Sequence, residues 1–143
     1  MMRIARQLLA SILHIAKSEQ FCIQCMLNRL IEPTLRSALE SQMQDYISIE
    51  RQAYAVGSAM GWDLPDSLTT KTLLKNFAMQ IQLRCTSTDS KIAEHLILCN
   101  TKAMIKIMKY RSLYLQPNKQ IDTLSQKLLD CETLSIRQLQ SFL

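Results

Sequence analysis

The sequence predicts an all-α fold: four long helices in a bundle, with a long crossover between the second and third that contains a short fifth helix. Three observations carry this reading. The 143 residues include only 2 Gly and 3 Pro, with 48% apolar and 20% charged residues, which is too little punctuation for a loop-rich chain and an ordinary globular balance. Apolar residues recur at alternating three- and four-residue steps, the spacing that lines one face of a helix. Helix-starting and helix-stopping residues fall between the periodic segments. No strand pattern, internal repeat or low-complexity segment interrupts them, and the length suits one domain over residues 1–143.

The first helix is predicted over 3–31, with the seam Ile4, Leu8, Ile12, Ile15, Glu19, Cys22, Met26, Leu30. Its opening, MMRIARQLLASILHIAKSEQ, carries Arg3 and Arg6 and no acid before Glu19, as a targeting peptide does. It lacks a small-residue cleavage site, however, and Ser11 and His14 interrupt the apolar stretch, so it reads as helix of the mature protein. Pro33 suits the first position of a second helix over 34–60, with the seam Leu35, Leu39, Gln42, Tyr46, Ile49, Ala53, Val56, Met60. Gly61 and the stretch GWDLPDS end it. A shorter periodic piece at about 67–84 forms the predicted fifth helix. TSTDS at 86–90 offers N-cap residues for a helix over 89–115, whose seam is Ile92, Leu96, Cys99, Ala103, Ile107, Tyr110 with Asn100 at its flank. QPNK at 116–119 breaks the chain before the last helix, 119–142, with the seam Leu124, Leu128, Cys131, Glu132, Ile136, Leu139. Two short breaks imply two antiparallel hairpins, and the long middle link can travel back along the bundle.

Two glutamates fall on apolar seams. Counted from the end of the bundle that holds the first hairpin turn, Glu19, Tyr46, Asn100 and Glu132 each lie eleven or twelve residues in, roughly 17 Å at about 1.5 Å per residue. They are the predicted core polar layer, in which Tyr46 and Asn100 serve as hydrogen-bond partners for the carboxyls. Buried carboxyls need such partners or a cation. Glu50 reads as a seam flank, Glu94 as outward-facing, His95 as a seam edge and His14 as a partly exposed position.

On this pattern of four helices, crossover and seam carboxylates, the chain resembles the ferritin-like superfamily, in particular its small bacterial members with a short helix in the crossover. The resemblance covers nearly the whole chain in architecture. It implies a di-iron site built from a Glu on each of two helices and a Glu-x-x-His on each of the other two. Glu19 matches the first-helix Glu and Glu132 the fourth-helix Glu. Ser135 stands three residues after Glu132, Asn100 stands where the third-helix Glu would be, and helix two offers Tyr46 and Ile49 at that level. No Glu-x-x-His occurs in the sequence. The expectation is therefore a bundle without catalytic residues and without a cofactor beyond, at most, a weakly bound divalent metal on Glu19 and Glu132. Its expected work is assembly or partner binding, and the alternative is a degenerate carboxylate site for a metal or small ligand in the core.

Five cysteines without an export signal suggest free thiols and a cytoplasmic location. Cys22 and Cys25 form a Cys-x-x-Cys, but mid-helix, with neither a helix N-terminus to activate a thiol nor the two further ligands at matched spacing that a structural zinc site needs. Cys22, Cys99 and Cys131 fall near one level of the seams, where a soft-metal site is geometrically conceivable, and the better reading is small buried hydrophobes. Residues 66–143 carry eleven basic and six acidic side chains against six and six in 1–65, so the whole net charge of +5 comes from the second half. Lys102, Lys106 and Lys109 form a stripe that reads as a solvated face near a helix C-terminus. The expected partners are a second copy of the chain, forming a dimer, or another protein; neither a membrane nor nucleic acid is expected. No phosphate-binding loop, zinc-protease motif or nucleophile elbow is present.

Overall fold

A computed structural model describes residues 2–28, 31–64, 88–113 and 118–143. The elements are α1 (Met2–Leu27), α2 (Pro33–Ala59), α3 (Asp89–Ser112) and α4 (Lys119–Gln140), with no strand among the described residues. The expected fifth helix at about 67–84 lies outside them. No described helix is long and apolar enough to cross a membrane.

Local chemistry sets the ends. Pro33 occupies the first turn of α2, and Glu32 before it is extended at φ −59°, ψ 140°, as the clash with a following proline ring requires. That constraint forces the chain out of α1 before the proline: α1 ends at Leu27 rather than at the expected residue 31, and Ile31 is not helical. The Thr88 hydroxyl accepts from the Lys91 N–H at 3.4 Å to start α3. The side-chain amide oxygen of Asn118 accepts from the N–H groups of Gln120 at 2.9 Å and Ile121 at 3.3 Å to start α4. Both satisfy donors that a helix start leaves orphaned. Gly61 adopts φ 70°, a left-handed conformation that suits glycine after a helix.

Polar contacts at the helix ends fix direction. The Arg36 guanidinium donates to the Leu27 carbonyl at 2.9 Å, and the Glu32 N–H donates to the Asp89 carboxylate at 3.3 Å. One end of the bundle therefore holds the close of α1 and the starts of α2 and α3. At the other end Arg6 donates to the Asp63 carbonyl at 2.9 Å, Asn118 reaches the Met60 sulfur at 3.7 Å, and Arg111 pairs with Asp122 at 3.2 Å. The chain leaves α2 at one end and enters α3 at the opposite one. Packing follows: α1 lies against α2 and α3, α4 lies against α3 and α2, α1 touches α4 across one diagonal, and α2 and α3 make no comparable contact. Neighbours are antiparallel and diagonals parallel.

The core runs the length of the bundle through Leu8, Ile12, Leu35, Leu39, Ile49, Leu96, Ile107, Leu124 and Leu128, none more than 2% exposed. Four seam positions differ from expectation. Ala5 rather than Ile4 faces the interior, Asn100 rather than Cys99, Ser135 rather than Ile136, and Gly57 rather than Val56. Each is a one-residue shift, because a 3.6-residue turn lets a seam advance by three or four at any step. Gly57 is closely approached: a Cβ there would stand 2.8 Å from Leu64 Cδ1, the end of a flexible side chain that would have to shift.

Candidate functional site: a buried carboxyl layer

Each helix contributes one residue to the interior where the sequence places polar groups. Glu19 on α1 is 5% exposed, Tyr46 on α2 1%, Asn100 on α3 2% and Glu132 on α4 0%. A fifth polar residue, Ser135, is buried on α4 one turn after Glu132. The Tyr46 and Ser135 hydroxyls lie 3.3 Å apart, one donating to the other. Ser135 went unrecognised as a site residue because serine carries no seam signal; its i, i+3 relation to Glu132 is the clue that was available.

Burial dominates the electrostatics. It pushes the Glu132 carboxyl well above the usual carboxylate range, with the Glu19 carboxyl adding to the rise and the Tyr46 hydroxyl opposing it. Burial also raises Glu19. Tyr46 is raised by burial first and then by Glu19 and Glu132. The Tyr46 hydroxyl is near enough to influence Glu132, yet neither Glu132 oxygen completes a hydrogen bond. The Asn100 amide nitrogen is likewise buried without a partner. An unsatisfied buried polar group costs about 1–3 kcal/mol, so this layer is a local weakness of the core, and neutral carboxyls are its least costly state.

Around the layer, Gln20 on α1 donates to the Tyr46 carbonyl at 3.4 Å and to the Glu50 carboxylate at 3.1 Å, which places Glu50 at the α1–α2 flank. Gln42 donates to Gln138 at 2.9 Å. The thiols divide. Burial raises both Cys22 and Cys99, and the Glu19 carboxyl adds to each rise. Cys131 is raised to about 11 by burial, with Asp45 the first neighbouring charge and Lys127 opposing it, so it belongs to the α2–α4 side and does not join the other two. Among the described residues no group of three or more His, Cys, Asp or Glu side chains could hold a metal ion. Glu19 and Glu132 are the carboxyls that could take up a cation in exchange for protons.

No protein-family model, curated protein or solved structure matches this chain. The class its fold and site define is an all-α four-helix bundle with a buried carboxyl layer, and its function is read from its own chemistry.

Proposed function

We propose that the chain is a non-catalytic helical bundle of ferritin-like arrangement that works by binding a protein partner through the outer face of α3. One observation carries the reading. Leu98, Ile105 and Met108 are 51%, 44% and 48% exposed and recur at steps of seven and three, so they form one apolar strip on a helix turned away from the core. Lys102, Lys106 and Lys109, all exposed, border it and favour a partner with acidic side chains. The arrangement of helices, with α2 and α3 on a diagonal and the chain crossing from end to end between them, supports the ferritin-like part. The thiol-rich composition supports a reducing compartment such as the cytoplasm.

The test replaces Leu98, Ile105 and Met108 together by Gln. Helix content and Tm should hold, because the side chains are exposed. Association, read by analytical ultracentrifugation as a dimer or as a complex in extracts, and complementation of a deletion strain should be lost. A variant that sediments like the parent and complements fully sinks the reading.

A second reading has its own observation: the unpartnered oxygens of Glu132 suit a cation or a donor, and the unpartnered Asn100 amide N–H suits an acceptor on a small polar ligand in the core. Mn2+ or Mg2+ should then raise Tm, and Glu132→Gln should abolish that rise. Equal melts with and without metal dispose of the cation.

A further inference from the structure

The outer face of α3, proposed above as the docking surface, is a heptad seam. Leu98, Thr101, Ile105 and Met108, all exposed, step by three, four and three residues, the a, d, a, d spacing of one strand of a coiled coil. The Thr101 hydroxyl donates to the Ile97 carbonyl of its own helix at 2.8 Å, so its polar atom is satisfied and its methyl is left to the seam. Glu94 and Ser112, the next seam positions on either side, end the run. It is about 15 Å long at about 1.5 Å per residue. It points away from the bundle, because Ala93, Leu96, Asn100, Ala103 and Ile107 are buried on the inward face of α3.

Charge lies along one edge only. Lys102 and Lys109 occupy the e positions beside the seam and Lys106 the b position behind them, and all three are exposed. The other edge, at the g positions, carries Ile97, Met104 and Arg111, and Arg111 is engaged with Asp122 and Gln126 of α4. Among the described residues no carboxylate forms an ion pair with any of the three lysines. Charges at e and g positions set the partner and orientation of a paired helix.

That edge disfavours a second copy of the chain. Two α3 helices packed antiparallel along the seam bring their e edges together, lysine against lysine. Packed parallel, they set lysines against Ile97, Met104 and Arg111, which supply no carboxylate. Like charges brought together at an interface are costly and suppress that pairing. A bilayer surface fits less well too, since the run holds only three large apolar side chains and the lysines line one edge rather than both. We infer that the partner is a single amphipathic helix of a different protein, with apolar side chains at its a and d positions and Glu or Asp along the edge that meets Lys102 and Lys109. Its carboxylates accept charge-assisted hydrogen bonds from the two ammonium groups, and the lysine stems cover apolar surface beside the seam. This deepens the docking role proposed for α3 and rests on it.

The probe is a synthetic peptide of three heptads with Leu at a and d, Glu at e and g, and Gln elsewhere; its own glutamates oppose self-pairing near neutral pH. Fluorescence anisotropy should give saturable one-to-one binding that weakens as salt rises, with a gain of helix by circular dichroism. The same peptide with Lys in place of Glu should bind roughly tenfold more weakly or worse. Lys102→Glu combined with Lys109→Glu should invert that order, weakening the acidic peptide by roughly tenfold or more and strengthening the basic one, which a merely sticky strip does not do. The parent alone should sediment as a monomer. No binding of the acidic peptide, an unchanged order in the reversed variant, a parent dimer that is lost when Leu98, Ile105 and Met108 are replaced by Gln, or tighter binding to phosphatidylglycerol vesicles than to the peptide overturns the inference. Failure of the peptide beside lost complementation in the triple Gln variant overturns only this partner and leaves α3 a docking surface; full complementation by that variant overturns both.

Discussion

The hydroxyl of Tyr46 on α2 sits 3.3 Å from that of Ser135 on α4, and this pairing leaves Glu132, one turn before Ser135, buried with both carboxyl oxygens unpartnered. The protein thus holds an acid at its centre in a place that favours the protonated form.

A stability dependence on pH follows from that relationship. The folded-state pKa values of Glu132 and Glu19 are raised by burial, so the folded state keeps protons that the unfolded chain releases above about pH 4.5. Stability from the neutral carboxyls is full below that pH and is lost as pH climbs toward the folded-state values. Glu132→Gln keeps the shape without the ionisation. A tenfold change in proton affinity corresponds to about 1.4 kcal/mol, so the variant should be more stable than the parent by roughly 1–3 kcal/mol at pH 7 and by almost nothing at pH 4. Thermal melts across pH 4–8 check this. A large loss of stability at every pH would mean that an ionised Glu132 is required.

Ferrous iron should not be turned over. On the ferritin-like resemblance, Glu19 and Glu132 would be two of the six protein ligands that the di-iron pattern uses, and Asn100 and Ser135 would stand where it needs a Glu and a His. Aerobic addition of Fe2+ should give oxidation no faster than in buffer. A stoichiometric pair of bound irons would show that the ligand layer has been misassigned.

Asn118 caps α4 through two backbone N–H groups. Asn118→Ala should cost about 1 kcal/mol of stability, a drop of roughly 2–8 °C in Tm for a domain of this size. Asn118→Gly should cost only a few tenths of a kcal/mol. Equal losses in the two variants would show that the contact to Met60, rather than the cap, is what matters.

Gly57 tests packing against propensity. Ala gains about 1 kcal/mol of helix propensity over Gly, but its Cβ must displace the Leu64 side chain from 2.8 Å. Since the clash is with the end of a flexible side chain, Gly57→Ala should change stability by less than about 1 kcal/mol, whereas the bulkier Gly57→Val should lose roughly 1–3 kcal/mol by overpacking. Chemical denaturation of the two variants, compared with the parent, gives both values.

The sequence by itself determined what is local. Apolar periodicity placed four helices, Pro33 and the stretches TSTDS and QPNK placed the starts of the last three, and the seam arithmetic singled out Glu19, Tyr46, Asn100 and Glu132, all of which lie in the interior. It missed by one residue where a step of three or four was equally periodic, so Asn100 was set at the flank and Cys99 on the seam. What only the tertiary structure decided is which faces of different helices meet. The register of α3 on α1 depends on contacts at the bundle ends and on neighbouring side chains far apart in the chain. Ser135 of α4 therefore could not be set opposite Tyr46 of α2 from spacing alone. Periodicity fixes a side chain's angle about its own helix axis; its height and facing partner come from how the helices pack.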